Sequence, residues 1–353
     1  MNLNIIKVSY GNVINKIAEK VYLHTNLDFT RPTQIYALIN TRCNSKCRMC
    51  DSWREVNPEE VPAKDWIRFL MYLKKYNANY NINFSGGEPL LKQDFLEILE
   101  YCHNENIPAG FTTNGLLLNK RIVDKLLRLN LFNINISLDS MNEEVHDGIR
   151  GVKGMLNVVK NNVSYLAEER IRIKNRTPII IKPMVCNENL NDLENIVVYA
   201  KDKKFTGVNF QPINKWSKES EEMFKMDLDQ LDIVIEKLVN MKKSGYPIMN
   251  SETQILDWKL HFRQIIPERN NNCVVALRNL TIKSNGDIVL CGFRKSKIGN
   301  IKNDDIKNIW SSEQTKKLRI ALVNCKKLCT ATCVVSRSWK DYIDLFRKLT
   351  ING

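Results

Sequence analysis

No apolar run in this sequence approaches the length needed to cross a bilayer. Its first residues, MNLNIIKVSYGNVINK, hold neither an uninterrupted apolar core nor a small-residue cleavage site, which excludes a secretory signal peptide. Internal repeats, low-complexity segments, runs of five like charges and nucleic-acid-binding motifs are also missing, so nothing favours a repeat array or a nucleic-acid partner. The expected compartment is the cytoplasm. There, ten cysteines point to metal binding or catalysis and not to disulfides.

What is present fits a globular protein. Hydrophobic residues make up 43% and charged residues 26% of 353, enough for one large α/β domain and a smaller one. The net charge of +14 is uneven, with 17 Lys and Arg against 6 Asp and Glu in 269–353. A lysine-rich solvated face explains this, as does a patch for an anionic partner such as an acidic electron-transfer protein, a phosphorylated substrate or an anionic membrane surface.

Short apolar runs at 34–41, 80–85, 109–114, 132–139, 178–185 and 206–212 read as strands. Between them lie stretches such as QDFLEILEYCHNEN and KRIVDKLLRLN, with apolar residues at helical spacing. Six strands alternating with helices predict an α/β fold built as a partial (β/α)6 TIM-like barrel over 34–215, after an N-terminal extension at 1–33. Helical stretches at 219–243 and 252–266 form a connection over 216–268. From 269 to 353 the texture of short strands, turns and five cysteines predicts a small α+β domain. The tail SWKDYIDLFRKLTI places Trp339, Tyr342, Ile343 and Phe346 on one helical face, which is expected to pack on the body of the protein.

In β/α barrels chemistry gathers at the C-terminal ends of the strands. The notable motifs fall there. Cys43, Cys47 and Cys50, spaced C-x3-C-x2-C, follow the first strand; Gly86, Gly87, Glu88 and Pro89 end the second. Thr113 and Asn114 end the third, Ser137 and Asp139 the fourth, and Gln211 the sixth. A structural zinc site needs four ligands, so zinc would have to recruit a distant residue such as His103. A cubane [4Fe–4S] cluster held by three thiolates leaves one iron open.

This triplet, with the GGEP run, resembles the radical S-adenosylmethionine (SAM) superfamily. The resemblance implies that Cys43, Cys47 and Cys50 hold a [4Fe–4S] cluster whose open iron binds SAM, and that 86–89 receives the methionine amino group. It further implies that Met49 touches adenine, in place of the family's usual aromatic residue. Thr113 and Asn114 would contact the ribose, Ser137 and Asp139 would make ribose or substrate contacts, and Arg150 would pair with the SAM carboxylate. His146 reads as a helix-start or loop residue.

A second set begins at Cys273 and runs C-x12-G-x4-C to Cys291, with Asn285-Gly286 as the turn of a hairpin. Cys325, Cys329 and Cys333 follow. The hairpin resembles SPASM and Twitch auxiliary-cluster domains. Five cysteines suffice for one auxiliary [4Fe–4S] cluster, held by Cys273, Cys291 and two of the last three; a zinc ribbon is the alternative. Cys102 and Cys186 read as core or loop cysteines.

The family's chemistry implies a radical SAM oxidoreductase or related enzyme, reduced by a flavodoxin or ferredoxin docking on the basic C-terminal end. Only 33 residues precede the first strand, too few for a leader-binding winged helix. This tilts the expectation to a small natural-product or sugar-like substrate, with a ribosomally made peptide as the alternative.

Overall fold

Eleven short strands carry the architecture, described in a computed structural model for residues 3–54, 59–266, 272–325 and 329. In chain order they are β1 (Gln34–Leu38), β2 (Asn81–Ser85), β3 (Ala109–Thr113), β4 (Asn133–Ile136), β5 (Ile179–Ile181), β6 (Met184–Val185), β7 (Gly207–Val208), β8 (Gln211–Pro212), β9 (Asn279–Ile282), β10 (Asp287–Cys291) and β11 (Arg294–Asn300). Strands β1 to β5 and β7 lie side by side, all parallel, with helices in the crossovers. The expected α/β class and the six βα repeats are therefore present.

Two of the six predicted strands are broken. Lys182 and Pro183 divide β5 from β6, and Asn209 and Phe210 divide β7 from β8. Periodicity does not reveal this, because each break is repaired by a distant side chain. Pro183 has no N–H to give. The Met184 N–H turns to the Asp139 carboxylate at 2.8 Å, and Asn250 both accepts from the Phe210 N–H (2.7 Å) and donates to its carbonyl (3.0 Å). The offset halves β6 and β8 then pair as a separate parallel ribbon. The predicted helix over 219–243 is also two, Lys218–Phe224 and Leu228–Lys243, the second capped by Asp227.

The hairpin expected to open a separate domain instead extends the main sheet. Strand β9 pairs parallel with β1, and β10 and β11 follow antiparallel, giving nine continuous strands. The first helix, Leu3–Thr25, is tied to the same region: Asn15 donates to the Leu277 carbonyl at 3.0 Å and Glu19 pairs with Arg278 at 3.3 Å. Buried Arg319 reaches Asp28 and stacks on Trp310, whose indole donates to the Thr30 carbonyl at 3.0 Å. The predicted amphipathic tail and Cys333 lie outside the described residues. No helix among the described residues is long and apolar enough to cross a membrane.

Alternation along the strands gives the sheet two unlike faces. Ile35, Ala37, Ile82, Phe84, Phe111, Ile134 and Ile136 are buried. Trp66, Phe84, Phe95 and Phe111 form a chain of edge-on rings with centroids 6.1, 5.5 and 5.6 Å apart, joining two helices to β2 and β3. The opposite face carries half-buried Gln34, Tyr36, Asn81, Asn83, Thr112 and Asn133. A parallel sheet covered on both sides would be apolar on both; here one face is left polar, toward a cleft. Phe84 is fully buried at the centre of the ring chain, so Phe84→Ala should lower unfolding free energy by about 3–5 kcal/mol. Urea denaturation followed by circular dichroism measures this, and an unchanged midpoint would contradict the packing described.

Candidate functional site

The loop after β1 brings Cys43, Cys47 and Cys50 to the C-terminal edge of the sheet. It is pinned to the end of β2 through main chain. The Gly87 N–H donates to the Asn40 carbonyl at 3.0 Å and the Glu88 N–H to the Arg42 carbonyl at 2.7 Å. A β-carbon on Gly86, whose φ is +134°, would lie 2.3 Å from the Asn40 oxygen, and one on Gly87 would lie 2.0 Å from the Arg42 oxygen. The close approach these glycines permit is thus to the cysteine loop's own backbone. Gly151 repeats the device: its φ of +67° ends helix Glu143–Arg150, and a β-carbon there would meet the Lys46 oxygen at 2.4 Å.

Glu88 is fully buried. Its carboxylate accepts from the Thr113 hydroxyl (2.8 Å), the Asn114 N–H (2.8 Å) and the Leu90 N–H (3.1 Å). Burial raises its pKa above the ordinary carboxylate value, while those three donors pull it back. Asn114 carries the connection onward, donating to Asn44 Oδ1 at 2.7 Å and Ser45 Oγ at 3.2 Å, with its Nδ2 3.9 Å from the Cys43 sulfur.

Several of the predicted site residues are engaged with neighbouring protein groups. The Thr113 hydroxyl, expected to face a ribose, is directed at Glu88. Asp139, expected to make polar ligand contacts, is buried and accepts the Met184 N–H freed at the β5–β6 break. Arg150, expected to pair with a ligand carboxylate, pairs with Asp139 at 2.6 Å and reaches the Cys47 sulfur at 3.8 Å. His146 lies inside its helix, not at the start, fully buried with Nδ1 accepting from the Asp139 N–H at 3.2 Å. Burial lowers its pKa to about 4. Half-buried Ser137 continues the inner face beyond β4. His103 is exposed at the end of helix Phe95–Asn104, which leads into the start of β3 and so lies at the sheet's opposite edge. Asn40, Asn44 and Ser45 were not singled out by sequence, because nothing local marks a polar loop residue as a partner of Asn114.

The donor set suits a cationic group. Burial, helped by the neighbouring Cys47, Glu88 and Cys50, pushes the Cys43 thiol up to about 11, and burial likewise raises Cys47. Thiols whose ionisation burial opposes are stabilised as thiolates by positive charge placed among them. Among the described residues no three His, Cys, Asp or Glu side chains close on a single ion; a cubane asks only that each thiolate reach its own iron. In the second set, burial raises the Cys273 thiol, with Cys291 and Cys325 adding to the rise. The fold thus gathers Cys273, Cys291 and Cys325. Cys329 is half-buried, and buried Cys102 and Cys186 stay apart, both raised by burial, Cys186 to about 12.

Between the two cysteine sets lies a cavity of about 330 Å³. Met49 lines it from the first loop and Cys291 from the hairpin; Tyr36, Met184, Gln211 and Leu290 complete much of the wall. Among the described residues no Asp, Glu, Lys, Arg or His lines it. At its rim Trp216 and Phe293 stack, centroids 4.5 Å apart and planes at 19°. Neither ring was singled out from sequence, since they stand far apart in the chain.

Glu88→Gln tests the buried hub. The amide would turn a donor toward Thr113 or Asn114, leaving a buried N–H or hydroxyl unpaired at a cost of about 1–3 kcal/mol. A lowered denaturation midpoint with the fold retained is expected; an unchanged midpoint would refute the carboxylate's role as acceptor.

Residues 38–200 match the radical SAM superfamily, and residues 273–334 match SPASM, an iron–sulfur cluster-binding domain. The sporulation killing factor maturation protein SkfB of Bacillus subtilis is 22% identical over 87% of this chain and 72% of its own. The AdoMet-dependent heme synthase of Methanosarcina barkeri is 26% identical over 78% of this chain and 82% of its own. Streptococcus suis SuiB, in a crystal structure bound to S-adenosylmethionine, shares the fold with a TM-score of 0.68 at 18% identity, over 86% of this chain and 71% of that one. With both family signatures in register with the two cysteine sets, the chain belongs to the radical SAM superfamily and carries a C-terminal SPASM domain.

Proposed function

We propose that this chain is a radical SAM enzyme that modifies a ribosomally made peptide. The carrying observation is the neutral, largely apolar cavity between Met49 and Cys291. A phosphorylated or carboxylated small molecule would find no countercharge in its wall, whereas an uncharged peptide side chain needs none. The expected preference for a small molecule rested on the length preceding β1; the relative SkfB, named for maturation of a killing factor, moves the weight to peptide. The heme synthase relative keeps a small-molecule substrate as the second reading.

Superfamily membership brings SAM and a [4Fe–4S] cluster, and the SPASM domain brings auxiliary iron–sulfur binding. When bound, the first cluster would supply the one electron that lets SAM lose a C–S bond and yield a 5′-deoxyadenosyl radical able to take a hydrogen atom from substrate. In our reading Cys43, Cys47 and Cys50 hold the first cluster, and Cys273, Cys291 and Cys325 hold one auxiliary cluster with Cys329 or Cys333. Arg150, set by Asp139, lends positive charge beside Cys47. Asn114 orients the loop, Gly86, Gly87 and Glu88 present main chain at its edge, and Met49 and Gln211 flank the bound cofactor or substrate. An anionic flavodoxin or ferredoxin docks on the basic C-terminal end.

Reconstituted anaerobically with dithionite and SAM, the protein should release 5′-deoxyadenosine, and Cys47→Ala should abolish it. With a precursor peptide encoded beside this gene, mass spectrometry should show a SAM-dependent mass change on an uncharged residue. A peptide left unaltered while 5′-deoxyadenosine forms would return the reading to a small molecule. A variant with Cys43, Cys47 and Cys50 all changed to Ala should keep about four irons in one cubane. Recovery of twice that iron, or of zinc alone, would overturn the single auxiliary cluster.

A further inference from the structure

Strand register carries the polar face of the sheet from the cavity deep into the cleft. Thr281 of β9 pairs with Tyr36 of β1, Tyr36 with Asn83 of β2, Asn83 with Gly110 of β3, and Gly110 with Asn133 of β4. Thr281 and Tyr36 line the cavity. One row of same-face positions therefore joins the apolar cavity to a group of amides.

That group is built, not incidental. Asn83 Nδ2 donates to Asn133 Oδ1 at 2.9 Å, and Asn135 Nδ2 donates to the same oxygen at 3.0 Å. The Thr112 hydroxyl donates to Asn83 Oδ1 at 3.3 Å. Gly110 makes the arrangement possible: a β-carbon there would lie 2.3 Å from Asn133 Oδ1, so the Asn133 side chain crosses β3 only over a glycine. Among the described residues the network leaves Asn133 Nδ2 and Asn135 Oδ1 without partners, although Asn135 is only 5% exposed. One free donor beside one free acceptor complements the carbonyl and N–H of a peptide unit.

We propose that this row is the floor of the substrate cleft and selects an uncharged, extended peptide segment. An apolar side chain enters the cavity at Tyr36 and Thr281, under the Trp216–Phe293 stack, and a main-chain amide lies on Asn133 and Asn135. Three strand spacings separate Tyr36 from Asn133, roughly 14 Å, which an extended segment of about four residues spans. The inference rests on the peptide reading above, and adds which part of a peptide is recognised and by which residues. Gly110 is its specificity-determining position, since any side chain there displaces Asn133.

The test uses the anaerobically reconstituted full chain and two probes, N-acetyl-leucinamide and N-acetyl-lysinamide, titrated by ligand-observed saturation-transfer NMR. The leucine amide should bind at least tenfold more tightly than the lysine amide. Thr281→Phe, which fills the cavity, and Asn135→Leu, which removes the free acceptor, should each weaken leucine amide binding at least fivefold, with iron content and circular dichroism retained. Equal binding of both probes to the unaltered chain overturns the proposal whether or not the variants fold. So does undiminished binding of the leucine amide by both variants. The peptide reading is judged separately by mass change of the precursor: an unmodified precursor with the binding pattern intact fails that reading alone, and a modified precursor without the pattern fails this inference alone.

Discussion

A carboxylate taken out of water must be met by donors, and Glu88 meets that demand in a way that organises everything around it. Its oxygens hold the end of β3 through Thr113 and Asn114, while its own N–H holds the loop after β1 at Arg42. The Asn40 side chain closes the circuit by donating to the Glu88 carbonyl at 2.8 Å. Asn114 then passes the order to Asn44 and Ser45, between the first two cysteines. Three consecutive strand ends and the cysteine loop are locked by one buried group, with two glycines removing the side chains that would hold them apart.

A second buried pair does similar work on the other side. Asp139 and Arg150 satisfy one another, and each has a further duty, Asp139 at the broken strand and Arg150 beside Cys47. Removing either partner would leave the other charged and dry, which is why such pairs define a geometry more than they add stability. The residues expected to touch the cofactor directly are, in several cases, the residues that aim the loop.

The two faces of the sheet divide labour. One face gains its stability from helices and from edge-on aromatic rings. The other gives up that burial and carries amides, hydroxyls and an apolar cavity with no formal charge among its described lining residues. The continuous sheet from β7 to β11 places the SPASM hairpin beside β1, so Cys291 and Met49 face one cavity from opposite sides. The first helix and Arg319 fasten this junction, tying residues near both ends of the chain to the same corner.

Much of this was legible in the residues themselves. Alternating apolar positions located the strands, and the cysteine spacings with the glycine turn at Gly286 located both cysteine sets, because these signals are local: they depend on period, turn chemistry and the reach of neighbouring thiols. Tertiary structure alone decided the rest. It split β5 from β6 where Asp139 could satisfy Met184, turned Thr113 toward Glu88 and Arg150 toward Asp139, brought Cys325 near Cys273, and stacked Trp216 on Phe293. Each of these depends on which groups share a buried volume, and burial is a property of the folded chain that spacing along a sequence does not carry.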